Sequence, residues 1–280
     1  MKYYILFLLS YIFSFGIQSF QLPHNAYEIA CSNSGIGNTK NININFSGIN
    51  NFKSHSSFSS IQWYQGVKGN NIEHKWGKKS HHYINLYNLY AKDIEIRDII
   101  PSENPIGFFD IQHISFSYGY GKSIFEKLNY GIQANLSYNQ LYVDESFGYH
   151  FDFGLSYIYS EVLSIGFSAQ QIGFEKHDNK TKKYPILVGM GSTLKLDKFN
   201  TNFNSDIIYD DQLVNPLTFK ISTISTYKAF SLISGYNLND DKKEFSCGFS
   251  FKYRKIQFDY GIALNTILGN PTILSIKYKI

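Results

Sequence analysis

From Asp110 to Ile280, apolar residues alternate with small or polar ones for about ten residues at a stretch, and then the chain turns. In Ile256–Leu264, residues Ile256, Phe258, Tyr260, Ile262 and Leu264 share one face, and Gln257, Asp259, Gly261 and Ala263 share the other. Strand side chains point alternately to opposite faces, so each such segment has one apolar face and one wet or small face. The pattern predicts strands at Asn41–Ile49 and Ser57–Val67, leaves Ile72–Lys79 ambiguous, reads His81–Arg97 as a long strand or a strand with a bulge, and adds Asp110–Ile124, Leu128–Val143, Gly148–Ser160 and Leu163–Gly173. It continues with Tyr184–Leu196, Thr201–Tyr209, Leu217–Tyr227, Phe230–Leu238, Glu244–Lys255, Ile256–Asn265 and Pro271–Ile280.

Strands of that length cross a tilted barrel wall, and no helical segment interrupts them. The expected fold is all-β, a transmembrane antiparallel outer-membrane β-barrel of about fourteen strands, with lipid outside and a polar lumen inside. A soluble β-sandwich is the alternative, with the apolar faces turned inward between two sheets. The uniform strand length and small polar faces, such as Gln133, Asn135, Ser137, Gly154 and Ser156, favour the barrel. Tight turns at Tyr159–Leu163, Thr226–Phe230 and Tyr253–Ile256 alternate with longer connections at Ile99–Phe109, Phe174–Lys183 and Asn237–Glu244. Tight turns belong on the periplasmic rim, where Ile280 also falls, and longer loops on the extracellular rim. Gly66–Ser80 is too long for its place in this alternation.

The N-terminus has a secretory pattern: Lys2, then apolar Tyr3–Phe15, then small residues from Gly16 to Ser19. Residues 1–19 are therefore expected as a signal peptide, 20–40 as an N-terminal segment able to plug the pore, and 41–280 as the barrel. Aromatic residues make up 18% of the chain, with Tyr (23) and Phe (24) far above Trp (2), while mean hydropathy is only −0.23. That combination suits a wall in which every second residue is apolar and aromatics anchor both interfaces. A net charge of +4 with cations scattered through turns argues against a nucleic-acid partner and leaves outer-membrane lipid as the expected one. Cys31 and Cys247 are expected as lone thiols rather than a disulfide.

Candidate chemistry is sparse. Asp152 and Asp259 fall on non-lipid faces, as do Lys252 and Arg254, and these four are expected to form a lumenal polar network, because buried charges need partners. His74, His81 and His82 lie near Lys75, Lys78 and Lys79, which reads as a basic turn rather than a metal site. No nucleophile motif of the G-x-S-x-G kind occurs, so neither catalysis nor a cofactor is expected.

Laid out in order, the segments resemble the PorV/PorQ family of outer-membrane proteins, barrels similar in fold to the FadL fatty-acid transporters. The resemblance rests on Tyr90–Asp98, Gly107–Asp110, Ile114–Lys122, Leu128–Asn135, Phe151-Asp-Phe-Gly-Leu-Ser-Tyr157 and Leu163–Gly173. Tyr184–Gly189 and Phe258-Asp-Tyr-Gly261 extend it. Where the family has an Asn-Pro-Ala-like element, this chain reads Asn45-Phe-Ser-Gly-Ile49. The resemblance implies a component or accessory of type IX protein secretion, with the translocon and cargo proteins as partners. The FadL-like fold implies instead a channel for hydrophobic small molecules, and a structural outer-membrane protein is the third alternative.

Overall fold

The computed structural model describes residues 22–38, 41–51, 53–97, 103–178, 180–211, 213, 215–239, 243–265 and 269–280. The expected signal peptide lies outside the described residues. The strands are β1 (His55–Gln62), β2 (Lys68–Gly77), β3 (Ser80–Ile96), β4 (Gly107–Phe125), β5 (Leu128–Leu141), β6 (Asp144–Ile158), β7 (Leu163–His177) and β8 (Lys180–Lys183). They continue as β9 (Leu187–Leu196), β10 (Thr201–Asp210), β11 (Leu217–Tyr227), β12 (Phe230–Leu238), β13 (Lys243–Tyr253), β14 (Ile256–Leu264) and β15 (Thr272–Lys279). All pair antiparallel in one sheet. β1 pairs with β2 on one side and β15 on the other, from His55↔Lys279 to Gln62↔Thr272, which closes the barrel. β8 pairs only with β7, so among the described residues fourteen strands make the wall.

The wall is apolar outside and polar inside, as the alternation predicts. Leu136 is 60% exposed on the outer face, while its neighbour Asn135 is 5% exposed on the inner one. Phe116, Phe153, Phe167, Phe249 and Phe258 are likewise exposed, and Ser117, Asp152, Ser168, Ser250 and Asp259 are buried. A sandwich would show the reverse. So continuous an apolar outer belt is stable only against lipid, and the closed ladder leaves no unpaired edge in it.

The rims differ, though less cleanly than expected, because the two-residue turn Tyr142-Val143 between β5 and β6 lies on the rim expected to carry only longer loops. Lys78-Lys79, Glu126-Lys127, Lys228-Ala229 and Arg254-Lys255 make two-residue turns on the rim that also holds Ser54 and Ile280. This is the turn rim; the other is the loop rim. The overlong Gly66–Ser80 connection is resolved by β2, a full strand that begins at Lys68 and ends in a tight turn at Gly77. Asn70, His74 and Lys75 mask it in the sequence because both of its faces carry polar residues. Phe174–Lys183 is not a loop: β7 runs on to His177 and returns as β8. β3 is both long and bulged, with a register shift between Ala91 and Ile94 and Asp93 at φ 57°.

The main correction concerns Asn41–Ile49, which is not a strand. The wall starts at His55, and the described residues from 22 to 51 fold inside it. This insert contains a short helix, α1 (Ala26–Ala30), and a 3-10 helix at Phe46–Asn51. Ile42, Ile44 and Phe46 imitate the period of a strand, but Asn41 just before them and Asn45 between Ile44 and Phe46 are as buried as they are. Turn bonds from Asn45 N to Asn41 O (3.3 Å) and Gly48 N to Asn45 O (3.0 Å) replace a ladder. Among the described residues, no helix is long and apolar enough to cross a membrane.

Candidate functional site: a lumen divided by the insert

The insert is held by three kinds of contact. The first is local. Asn25 caps α1 by accepting from Glu28 N (3.1 Å), and the Glu28 carboxylate reaches back to His24 N (2.7 Å) and Asn25 Nδ2 (2.6 Å). This reciprocal capping explains how so short a helix forms, and its Asn-x-x-Glu spacing is a readable signal that the strand periodicity overshadowed.

The second is steric. Gly248 pairs with Gly261 across β13 and β14, and Gly235 lies on β12. A Cβ on Gly261 would lie 2.3 Å from Ala26 O, one on Gly248 2.6 Å from Ala30 Cβ, and one on Gly235 2.4 Å from the Cys31 carbonyl carbon. These three positions make the flat seat of α1. A second seat runs through Gly121↔Gly131↔Gly154 on β4, β5 and β6. There a Cβ on Gly131 would lie 2.4 Å from Phe46 O, and one on Gly154 2.2 Å from Asn45 Oδ1. Inward apolar residues complete the fit. Ile29 packs with Ile61, Tyr87 and Leu89; Ala30 and Cys31 with Ile224 and Ile233; Phe46 and Ile49 with Tyr83. β3 is thus apolar on both faces, because it stands between lipid and insert.

The third is polar. Asp206 of β10 accepts from Gly35 N (2.5 Å) and Ile36 N (3.1 Å). Asn45 Nδ2 donates to Ile36 O (2.8 Å) and Leu155 O (2.9 Å), while its Oδ1 accepts from Ser47 N (3.1 Å). Asn50 Nδ2 donates to Tyr130 O (2.9 Å), and Ser164 Oγ to Gly37 O (2.8 Å). Buried polar backbone in a loop needs such partners.

The insert leaves a cavity on each side. The outer cavity, of about 680 Å³, opens toward the loop rim and is lined by the insert's Leu22, Ile29 and Ile44 and by Trp63, Leu187 and Ile208. Its polar groups include His150, Asp152, Asp210, Lys220 and Glu244. The inner cavity, of about 300 Å³, faces the turn rim and is lined by Lys53, Lys252, Lys277 and Lys279 among others. Glu28 and Asn43 border both cavities, and Asn43 Nδ2 donates to Glu28 Oε1 (2.7 Å) between them. Burial pushes the Glu28 carboxyl up to about 7 and the His24 imidazole down to about 4. His24 stacks on Tyr87 at 4.1 Å.

The four residues expected to form a lumenal network are not brought together as one group, although Lys252 and Asp259 lie within electrostatic reach of each other on adjacent inward rungs. Asp152 and Asp259 both face inward and are buried. Asp152 is satisfied locally, by Asn135 Nδ2 (2.8 Å), Gln171 N (2.7 Å) and His150 Nδ1 (3.4 Å). Asp259 accepts from Gln257 Nε2 (2.8 Å), and Lys252 lines the inner cavity one rung toward the rim. Arg254 leaves the wall altogether: it sits at φ 52° in the β13–β14 turn, over the Tyr253 ring. The expected strand Glu244–Lys255 runs two residues too far, into that turn. His74 and His82 project outward and stack on either side of Trp76, at 5.3 and 5.5 Å. Cys31 is buried in the insert, Cys247 lies half-buried on the outer face, and both thiols are free. Among the described residues, no three His, Cys, Asp or Glu side chains converge as metal ligands.

No family profile matches this sequence, and no curated protein matches it. Solved structures do match in fold. The Pseudomonas putida toluene transporter TodX is similar over 90% of this chain and 96% of its own, with a TM-score of 0.66 at 11% identity. The Ralstonia pickettii toluene transporter TbuX covers 91% and 98%, with a TM-score of 0.65 at 9% identity. A FadL homologue of Pseudomonas aeruginosa covers 92% and 99%, with a TM-score of 0.60 at 7% identity. The chain therefore has a FadL-like barrel fold.

Proposed function

We propose that this chain is an outer-membrane channel that takes small hydrophobic molecules into the outer cavity from the loop-rim side, with residues 22–51 as its plug. The observation that carries this reading is the outer cavity itself. Its volume of about 680 Å³ suits a small organic ligand, and it joins apolar side chains to a few convergent polar ones. The fold is that of proteins described as toluene transporters, which supports the same substrate class. The loop rim then faces the cell exterior and the turn rim the periplasm, after export by residues 1–19.

The test is uptake of labelled toluene by intact cells carrying the protein, against cells carrying Ser117→Trp, which fills the outer cavity from β4. Uptake above empty-vector cells that falls with the tryptophan supports the channel. Equal uptake in all three strains removes it.

The order of motifs from Tyr90 to Gly173 favours a second reading, an accessory of type IX secretion whose loop rim contacts translocon or cargo. Mild solubilisation and co-purification separate the two. Recovery of translocon or cargo proteins, without toluene uptake, makes secretion the function; if both assays fail, a structural role is what is left.

A further inference from the structure

On β1–β4 the outward face of the wall changes from apolar to polar to cationic within a few rungs of the turn rim. The rung Phe58↔Ile72↔Leu86↔Phe116 is wholly apolar, and all four side chains are exposed. The next outward rung is Ser56↔His74↔Ile84↔Tyr118, and after it comes Trp76↔His82↔Tyr120. Beyond these, Lys122 pairs with Ser80, and Lys78 and Lys79 form the turn. Equally near its own turn, the outward face of β6 and β7 holds Tyr157 opposite Ile165, and that turn carries Glu161 instead of lysine.

The two histidines are held in place. Ser56 Oγ lies 2.8 Å from His74 Nδ1 and Tyr118 Oη 2.8 Å from His82 Nδ1, and Trp76 is stacked between the two rings. With both hydroxyls donating, each neutral ring carries its proton on Nε2. Neither Nε2 has a hydrogen-bond partner among the described residues. A donor beside a hydrocarbon belt is costly without an acceptor, so this patch calls for one from the membrane. The cations meet the same need: Lys78, Lys79 and Lys122 are exposed and form no ion pair among the described residues. Elsewhere on this rim, Lys228, Arg254 and Lys255 lie over the rings of Tyr227, Tyr253 and Tyr278. Glu126, the carboxylate on this stretch of rim, shares its turn with Lys127.

We propose that this outward patch is a discrete binding site for one anionic phospholipid. Lys78, Lys79 and Lys122 neutralise the head, and the Nε2 atoms of His74 and His82 donate to its phosphate oxygens. An acyl chain lies along Ile72, Leu86 and Phe116. Interfacial aromatics and basic residues beside a membrane are each common. Here strand register joins them to two oriented donors, which makes a site of what is elsewhere a belt. The site goes beyond the channel reading and takes from it only that the turn rim meets the periplasmic leaflet.

Trp76 reports its own occupant, because Trp63→Phe leaves it as the sole tryptophan. The full-length protein with that change, in dodecyl maltoside micelles, is titrated with phosphatidylglycerol or phosphatidylcholine brominated in the acyl chains. Phosphatidylglycerol half-quenches the fluorescence at a mole fraction at least about fivefold lower than phosphatidylcholine, because the lysines favour the lipid with net charge. Lys78→Gln, Lys79→Gln and Lys122→Gln together abolish that preference. His74→Phe with His82→Phe keeps aromatic rings against Trp76 and raises the phosphatidylglycerol requirement roughly threefold, the loss of modest hydrogen bonds. Ile165→Trp, combined with Trp63→Phe and Trp76→Phe, is quenched equally by the two lipids. Retained heat-modifiable mobility verifies that the variants are folded. Equal quenching of Trp76 by the two lipids overturns the site and leaves the patch to a protein partner. The same preference in the triple lysine variant, or at Ile165→Trp, also overturns it. Micelles have no leaflets and the titration needs no transport, so its outcome is independent of toluene uptake.

Discussion

The wall and the insert satisfy their buried backbone in opposite ways. The wall uses its neighbours: every strand donates to and accepts from the next, and β1 with β15 closes the circle. The insert has no ladder. Its amides and carbonyls are met one at a time, by turn bonds such as Gly48 N to Asn45 O and by side chains, Asp206 for Gly35 and Ile36 and Asn45 for Ile36 O. The wall is thus a repeated solution that tolerates change at most inward positions, provided the outer face stays apolar. The insert is a set of singular contacts, each of which can be removed by one substitution.

The sharpest way to break this contrast is to charge the outer face. Leu136→Arg places a cation against lipid and is expected to cost about 2–4 kcal/mol of wall stability if it sits near the bilayer midplane. A urea titration of the heat-modifiable folded band in lipid reads this, and a cost near zero would mean that the outer face is not lipid-facing. Next in size is Gly154→Val, whose side chain meets Asn45 Oδ1 and the Ser47 amide. Overpacking of roughly 1–3 kcal/mol is expected to fall on the insert alone. Limited proteolysis within residues 22–51 with an unchanged heat-modifiable band is the predicted outcome; loss of the band would show that wall and insert fold as one unit.

Asp206→Asn is milder. It keeps an acceptor for Gly35 and Ile36 but loses the charge, and charge-assisted bonds are about twice as strong as neutral ones, so about 1 kcal/mol of docking is at stake. The measure is the protease concentration that cuts the insert at half-maximal rate. A further prediction concerns pH. Burial raises the Glu28 carboxyl from 4.5 to about 7, so the docked insert binds a proton that the undocked chain releases earlier. Docking is therefore firmest below about 4.5, and weakens as pH rises toward 7. Glu28→Gln should flatten that dependence in the same protease assay; an unaltered slope would assign it to another group.

How much could be read beforehand follows the same division. Leu217–Tyr227 and Phe230–Leu238 are predicted to the residue, because Tyr227 and Phe230 bound a two-residue turn between cleanly alternating runs. β2 is misframed because its Asn, His and Lys residues blur the two faces. Asn41–Ile49 is misread for the converse reason: its Ile-x-Ile-x-Phe rhythm matches a strand, while its asparagines are committed to turns inside the lumen. Asp152 and Asp259 are placed inward by alternation alone, but alternation cannot say which rung meets which, nor that Arg254 already belongs to a turn.

What this chain determines by itself is therefore the wall: strand length, the apolar outer face, the polar lumen and the rim that carries most of the tight turns. Those are short-range properties, set by a period of two and by the solvent on each side. The insert's seat and the two cavities were decided only by tertiary structure. They depend on which residues register brings level across neighbouring strands, such as Gly121 under Ile49 beside Gly131 and Gly154 under Phe46, or Lys252, Lys277 and Lys279 around one mouth. A glycine or a lysine looks the same in any inward position; its meaning comes from what closing the barrel places opposite it.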